Sequence, residues 1–223
     1  MQSATKCSMN FFADLCTLIY PPQCELCGIN ELTLCIRCSH RLSTSAHSLR
    51  GFTHPVTAGI IYDSDTSAIV LRAKENGSQT AYHALALALA SALIHLNPPR
   101  QFSLVPIPST PRSVRRRGRN FIMELSHIFV KNLHNTYAIE IVDVLLHQKK
   151  VRDQSGLSMR DREANMVGSL IQQRTITTPV VILDDVITTG STMKAAFGAL
   201  DVAQTTIIGG IAACASPRQM RIR

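Results

Sequence analysis

Residues 180–192 hold the densest chemistry in the chain. The apolar run Val180-Val181-Ile182-Leu183 leads to Asp184 and Asp185, and then to Thr188, Thr189, Gly190, Ser191 and Thr192. A buried strand of this kind delivers both carboxylates to its C-terminal edge, where open α/β sheets place their ligands. The hydroxyl-rich turn that follows opens a helix, whose unpaired N–H groups and positive dipole end suit a phosphate. Gly190 permits close backbone approach. Carboxylates beside an anion-binding turn fit a ligand with both hydroxyls and a phosphate, such as a ribose 5-phosphate. The plainer alternative is a strand with surface aspartates running into a Ser/Thr-capped helix.

A second constellation is Cys24, Cys27, Cys35 and Cys38, spaced C-x2-C-x7-C-x2-C. Each C-x2-C turn can supply two adjacent corners of a thiolate tetrahedron, the arrangement Zn²⁺ takes in closed structural sites. Gly28 can adopt the left-handed conformation that closes the first turn. The second pair has no such glycine, and His40 is near enough to compete as a ligand. Four incidental reduced thiols are the alternative. Cys7, Cys16 and Cys214 read as small hydrophobic residues. Reduced, metal-binding thiols point to the cytoplasm.

The third feature is a basic segment. No acidic residue occurs between Glu75 and Glu124, while Arg100, Arg112, Arg115, Arg116, Arg117 and Arg119 accumulate there. Arginine forks match phosphate oxygens. So long a run suits a polyanion, where each neutralised phosphate adds salt-dependent affinity. Lys149, Lys150, Arg152, Arg218, Arg221 and Arg223 extend the positive surface. A solvated basic face without a ligand is the alternative.

Elements must position these groups, and the composition allows them. The chain has 223 residues, 45% hydrophobic and 17% charged, which excludes wholly disordered, collagen-like and coiled-coil chains. A net charge of +8 favours anionic partners, while 5% aromatics and no Trp argue against a base-stacking platform. Residues 1–20 read as an amphipathic helix, and Ser39–Thr57 as a polar connector. Strands are expected at Gly59–Tyr62, Ser103–Ile107, Ile139–Leu146, Val180–Leu183 and Thr205–Cys214. Helices are expected at Ser67–Glu75, Thr80–Leu96, Asn120–Asn132 and Ser191–Leu200. The alternation predicts an α/β fold, a parallel sheet flanked by helices. The most apolar stretch, Ala84–Leu96, is too short for a bilayer and reads as a buried helix, so no membrane span is expected.

The stretch 180–192 resembles the phosphoribosyl pyrophosphate (PRPP) motif of type I phosphoribosyltransferases. Further elements resemble the ComF family of competence-associated, phosphoribosyltransferase-like proteins. These are the four-cysteine motif, a K-x-x-G element (Lys74 to Gly77), Val105-Pro106-Ile107-Pro108, and a basic P-x-R-x-x-R-x-R-G segment from Pro111 through Arg117 and Gly118 to Asn120. Gln154, Leu157, Arg162 and Asn165 match a further element, with Gly168 after it. Arg119, Phe121 and Asp153 depart from the residues usual there, Phe, Gln and Pro.

The resemblance implies a type I phosphoribosyltransferase-like domain over 46–223, preceded by a small zinc-ribbon-like module over 1–45. It implies that Asp184 and Asp185 hold the ribose hydroxyls and that Thr188, Thr189, Gly190, Ser191 and Thr192 bind the 5-phosphate. Lys74 and Ser109 complete the PRPP site, Arg112 joins the aspartates as a catalytic group, and Mg²⁺ accompanies PRPP. The loop from Ser109 to Gly118 would lie beside the pyrophosphate, with 149–165 as a mobile cover, in which Glu163 is a candidate base. Arg115, Arg116, Arg117 and Arg119 would contact single-stranded DNA. The expected function is a cytoplasmic, PRPP- and single-stranded-DNA-binding factor of natural transformation that works with competence-machinery proteins. A conventional phosphoribosyltransferase and a non-catalytic PRPP sensor are the alternatives.

Overall fold

The computed structural model describes residues 23–24, 26–29, 34–148 and 169–219. The expected helix over 1–20 and the expected cover over 149–165 lie outside the described residues. Strands β1 (His47–Leu49), β2 (Val56–Ile61), β3 (Gln101–Pro106), β4 (Ala138–Ile141), β7 (Val180–Ile187) and β8 (Ile207–Ala215) form one sheet, ordered β1-β2-β8-β7-β3-β4. All its pairs are parallel except β1 with β2. Strands β5 (Leu145–His147) and β6 (Leu170–Gln172) make a separate antiparallel pair.

Helices cover both faces. On one face lie α1 (Ile36–Thr44), α3 (Gln79–Leu96) and α5 (Phe121–Leu133), sharing a core with Val181, Leu183 and Ile211. On the other, Met193, Ala196, Phe197 and Leu200 of α6 (Ser191–Val202) pack with Val180, Ile182 and Leu145. The near-continuous apolar runs of β7 and β8 follow from this, because a parallel sheet is buried on both faces. Helix α3 is the one long and apolar enough, among the described residues, to pass for a membrane span by length and composition, but 56% of it is buried within the fold. It sits close on the sheet. A Cβ at Gly59 would meet the Ala88 carbonyl oxygen at 2.0 Å, and the Thr57 hydroxyl donates to the Ala92 carbonyl at 2.8 Å.

The described cysteine segment joins this core rather than standing apart. Cys24, Leu26, Cys35, Cys38 and Leu42 are buried in the same cluster as α3. Arg41 of α1 also donates to Asp63 at 2.9 Å.

Several expected elements differ. The polar connector contains most of α1, which buries only Cys38 and Leu42, one helical turn apart, so its mean polarity hid its period. Helix α2 (Ser64–Leu71) starts earlier than expected because Asp63 and Thr66 form a reciprocal capping box. It continues into a π-helical turn, Arg72–Asn76. The loop expected from Ser109 to Gly118 is largely helix α4 (Pro111–Arg117), with Thr110 accepting from the Ser113 N–H at 3.2 Å and Pro at the first turn. The single strand expected over Ile139–Leu146 is two, β4 on the sheet edge and β5 in the small pair. An apolar run does not reveal which partner each half finds.

Candidate active site

Two neighbouring strands send their chains to opposite faces. After β3 the chain passes through α4 into α5 on one face; after β7 it enters α6 on the other. Such a divergence opens a crevice at the C-terminal strand ends. Strand β7 also outruns β3: the last β3 pairings are Pro106 with Leu183 and the Ile107 N–H with the Leu183 carbonyl at 2.9 Å. Asp184 and Asp185 therefore stand just past the end of β3, on a strand still held by β8. A cavity of about 580 Å³ occupies the crevice. Its wall includes Asp184, Asp185, Lys74, Ser109, Arg117 and Thr192.

Successive side chains on a strand point to opposite sides, so the paired aspartates meet different surroundings. Asp185 is ion-paired with Lys74, and only 13% of its side chain is exposed. The Lys74 ammonium also lies 5.4 Å from the Phe121 ring centroid. Asp184 accepts the Asp185 N–H at 2.8 Å. Burial, and then the adjacent Asp185 charge, push the Asp184 carboxyl well above the usual carboxylate range. The site thus holds one carboxylate with a cation beside it and one that resists ionising.

The turn beyond the aspartates is built to present amides. Gly190 stands at the N-cap of α6, which like α1 and α5 has no cap from its N-cap side chain, and the Thr189 hydroxyl accepts the Ser191 N–H at 3.4 Å. Gly190 has φ +79°, and a Cβ there would meet the Phe52 ring at 2.6 Å, so both the left-handed backbone and the packing demand glycine. The turn's carbonyls are engaged elsewhere. The Ser216 hydroxyl donates to the Thr188 carbonyl at 2.8 Å, and Gln219 Nε2 donates to that of Thr189 at 3.0 Å. Thr189 and Ser191 share a hydroxyl–hydroxyl hydrogen bond.

The basic segment divides. Arg112, Arg115 and Arg116 are exposed, and Arg112 does not line the cavity. Arg117 does, with 12% of its side chain exposed, and it donates to Glu75 at 3.0 Å, as does Arg116. Arg119 turns inward and donates to the Ala73 and Lys74 carbonyls. Two residues that the sequence reading missed contribute to the site. Glu75, the last acid before the basic run, receives two of its arginines. His147 lines the cavity, and its Nε2 donates to the Pro108 carbonyl at 2.8 Å. A signal for Glu75 existed, since an isolated acid flanking a cationic run attracts it. None existed for His147.

The four thiols converge as a metal site would require, with all Sγ atoms within 4.8 Å of one another. Cys24 lies in the first turn, whose Gly28 has φ +73° and donates its N–H to the Cys24 carbonyl at 2.9 Å. Cys35 is the N-cap residue of α1 and Cys38 lies in its first turn, so the helix replaces the missing glycine as the shaping element. Burial opposes ionisation of Cys24. The N–H groups of Cys35, Cys27 and Leu26 outweigh it and bring the thiol down to about 6. Burial and the neighbouring thiols push Cys38 up. Four soft donors of this kind fit Zn²⁺ and leave no position for chemistry. His40 is exposed, outside the cluster.

No family model and no curated protein matches the chain. Among solved structures it is similar to an adenine phosphoribosyltransferase at 13% identity, covering 80% of this chain and 89% of that one, with a TM-score of 0.42. It is also similar to the adenine phosphoribosyltransferase of Rhodothermus marinus at 17% identity, with coverages of 79% and 85% and a TM-score of 0.37. Both likenesses are remote, and neither transfers a ligand or a reaction to this chain.

Proposed function

We propose that the protein binds PRPP in the crevice between β3 and β7 and transfers its phosphoribosyl group. One observation carries this reading: the acidic pair, the hydroxyl-bearing start of α6 at Thr192 and the Lys74 ammonium meet around one cavity. The ribose hydroxyls would donate to Asp184 and Asp185, and the 5-phosphate would accept N–H and hydroxyl donors from Thr188 to Thr192. Lys74, Ser109 and Arg117 would face the pyrophosphate. As an acceptor nucleophile bonds to the anomeric carbon and its bond to pyrophosphate breaks, positive charge grows on the ribose and negative charge on the departing pyrophosphate. The Asp185 carboxylate would stabilise the first and the cationic side chains the second. The aspartate oxygens are hard donors that fit Mg²⁺, although Lys74 already balances Asp185. Held there with pyrophosphate oxygens, Mg²⁺ would supply further charge neutralisation.

The test is calorimetric titration with PRPP and Mg²⁺, wild type beside the Asp184→Asn/Asp185→Asn double variant. Wild type should bind, and the variant should lose about 100-fold in affinity, the sum of two charged hydrogen-bonding groups. Absence of binding by wild type would overturn the reading.

The finer reading is a ComF-type cytoplasmic factor of natural transformation that also binds single-stranded DNA and meets competence-machinery proteins. What supports it is the exposure of Arg112, Arg115 and Arg116 at i, i+3 and i+4 on α4, one helix face.

A further inference from the structure

The turn that carries Lys74 is braced from behind. Arg119 Nη2 donates to the carbonyl oxygens of Ala73 and Lys74, at 2.5 and 3.0 Å. A π-helical turn of five residues, Arg72–Asn76, ends almost as soon as it begins, so its last carbonyls need donors from elsewhere. One guanidinium nitrogen, Nη2, supplies two of them. Its room is reserved by Gly77, where φ is +68° and a Cβ would stand 2.1 Å from Arg119 Nη1.

The guanidinium is fixed in turn. Nη1 lies 3.6 Å from Glu124, which accepts from the Tyr82 hydroxyl, and the Tyr82 ring lies 5.7 Å below the guanidinium carbon. Burial, and then Glu124, push the Tyr82 phenol up, so it stays a donor. Only 22% of the Arg119 side chain is exposed. From the opposite side of the turn, Lys74 crosses the Phe121 ring to reach Asp185. A residue so enclosed is not arranged to take a phosphate from solvent, although the sequence groups it with the exposed arginines.

We propose that Arg119 is a positioning residue of the cavity: it holds the π-helical turn in the shape that keeps the Lys74 ammonium at Asp185. As a statement about PRPP it rests on the function proposed above; as a statement about Lys74 it stands alone. The test therefore has two readouts. The first is the acetylation rate of Lys74 in the ligand-free protein, followed by peptide mass spectrometry with an amine-reactive acetyl ester. The second is the PRPP–Mg²⁺ dissociation constant.

Arg119→Leu should raise Lys74 acetylation several-fold and weaken PRPP binding about tenfold, the loss expected for a charge-assisted pair of hydrogen bonds. Arg119→Lys, which keeps the charge but not the planar guanidinium that also meets Glu124 and the Tyr82 ring, should fall between. Gly77→Ala, which crowds the guanidinium and also strains the φ +68° backbone, should raise Lys74 acetylation at least as far as Arg119→Leu does. If Arg119→Leu does not fold, Arg119→Lys carries the same readouts. Unchanged Lys74 acetylation in folded variants overturns the positioning role. Faster acetylation sustains that role even if wild type binds no PRPP, an outcome that would defeat only the proposed function.

Discussion

The cysteine cluster and the basic run are both dense repeats of one residue type, yet the fold treats them in opposite ways. The thiols converge until all four sulfurs lie within 4.8 Å. The arginines diverge: Arg112 and Arg115 face solvent, Arg116 is exposed but reaches Glu75, Arg117 joins Glu75 at the cavity wall, and Arg119 turns inward to the π-helical turn. The difference lies in local geometry. A C-x2-C spacing folds two side chains toward one point, and a tight turn or a helix start serves equally well. Arginines on a helix are rotated by about 100° per residue, so a run of them spreads around the axis instead of converging on one point. Clustering in sequence means a site only where local geometry brings the functional atoms together.

The acidic pair is a third case, two carboxyl groups that converge beside the ion-paired Lys74 ammonium. Convergence of like charge is unfavourable unless something cancels it, so each constellation should respond to removal of its counter-charge or of one member.

The largest effect is expected at the cysteines. Chelation of bound zinc, or Cys38→Ser, should lower the melting temperature by about 10 °C or more, because α1 would lose the anchor that seats Leu42 against α3. Thermal unfolding with and without chelator, beside a zinc assay, checks it. A protein that purifies without zinc and melts unchanged would show that the thiols converge for packing alone.

A smaller effect of opposite sign is expected at Asp184. Its carboxyl titrates above the usual carboxylate range in the folded protein because of burial and Asp185. The folded state therefore binds more protons than the unfolded state between the ordinary and the raised value, and stability falls as pH rises through that window. Asp184→Asn should raise the melting temperature by about 3 °C at neutral pH, and the gain should fade as pH drops toward the ordinary carboxylate value. A variant less stable than wild type at neutral pH would mean that the carboxylate is satisfied by its surroundings.

The smallest effect separates the two halves of the basic run. If α4 contacts single-stranded DNA, the Arg115→Ala/Arg116→Ala variant should have a log–log salt slope shallower by about 1.4, from about 0.7 per lost phosphate contact. Binding isotherms across a salt series measure this. An unchanged slope would remove α4 from any nucleic-acid surface.

Sequence reading reached furthest where the information is local. The strand, acidic pair and Gly190 turn were legible because β7 and the start of α6 are consecutive in the chain. The α/β alternation was legible because buried parallel strands and helices have distinct apolar periods. It reached least far where partners lie distant in the chain. The Ile139–Leu146 run gave no sign that β4 and β5 belong to different sheets, and the mean polarity of 36–44 concealed a helix whose buried face is only Cys38 and Leu42.

What the sequence by itself determined is therefore the set of groups: four thiols with metal-ligand spacing, two carboxylates at a strand end and a glycine turn before a helix. Only the tertiary structure decided which cations join them. Lys74 and Asp185, 111 positions apart, meet because β7 outruns β3 and because Arg119 holds the intervening turn in place. The reason is physical: spacing along a chain defines a residue's neighbours within a turn or two, whereas charge acts through space, and only packing determines which charges come within reach of one another.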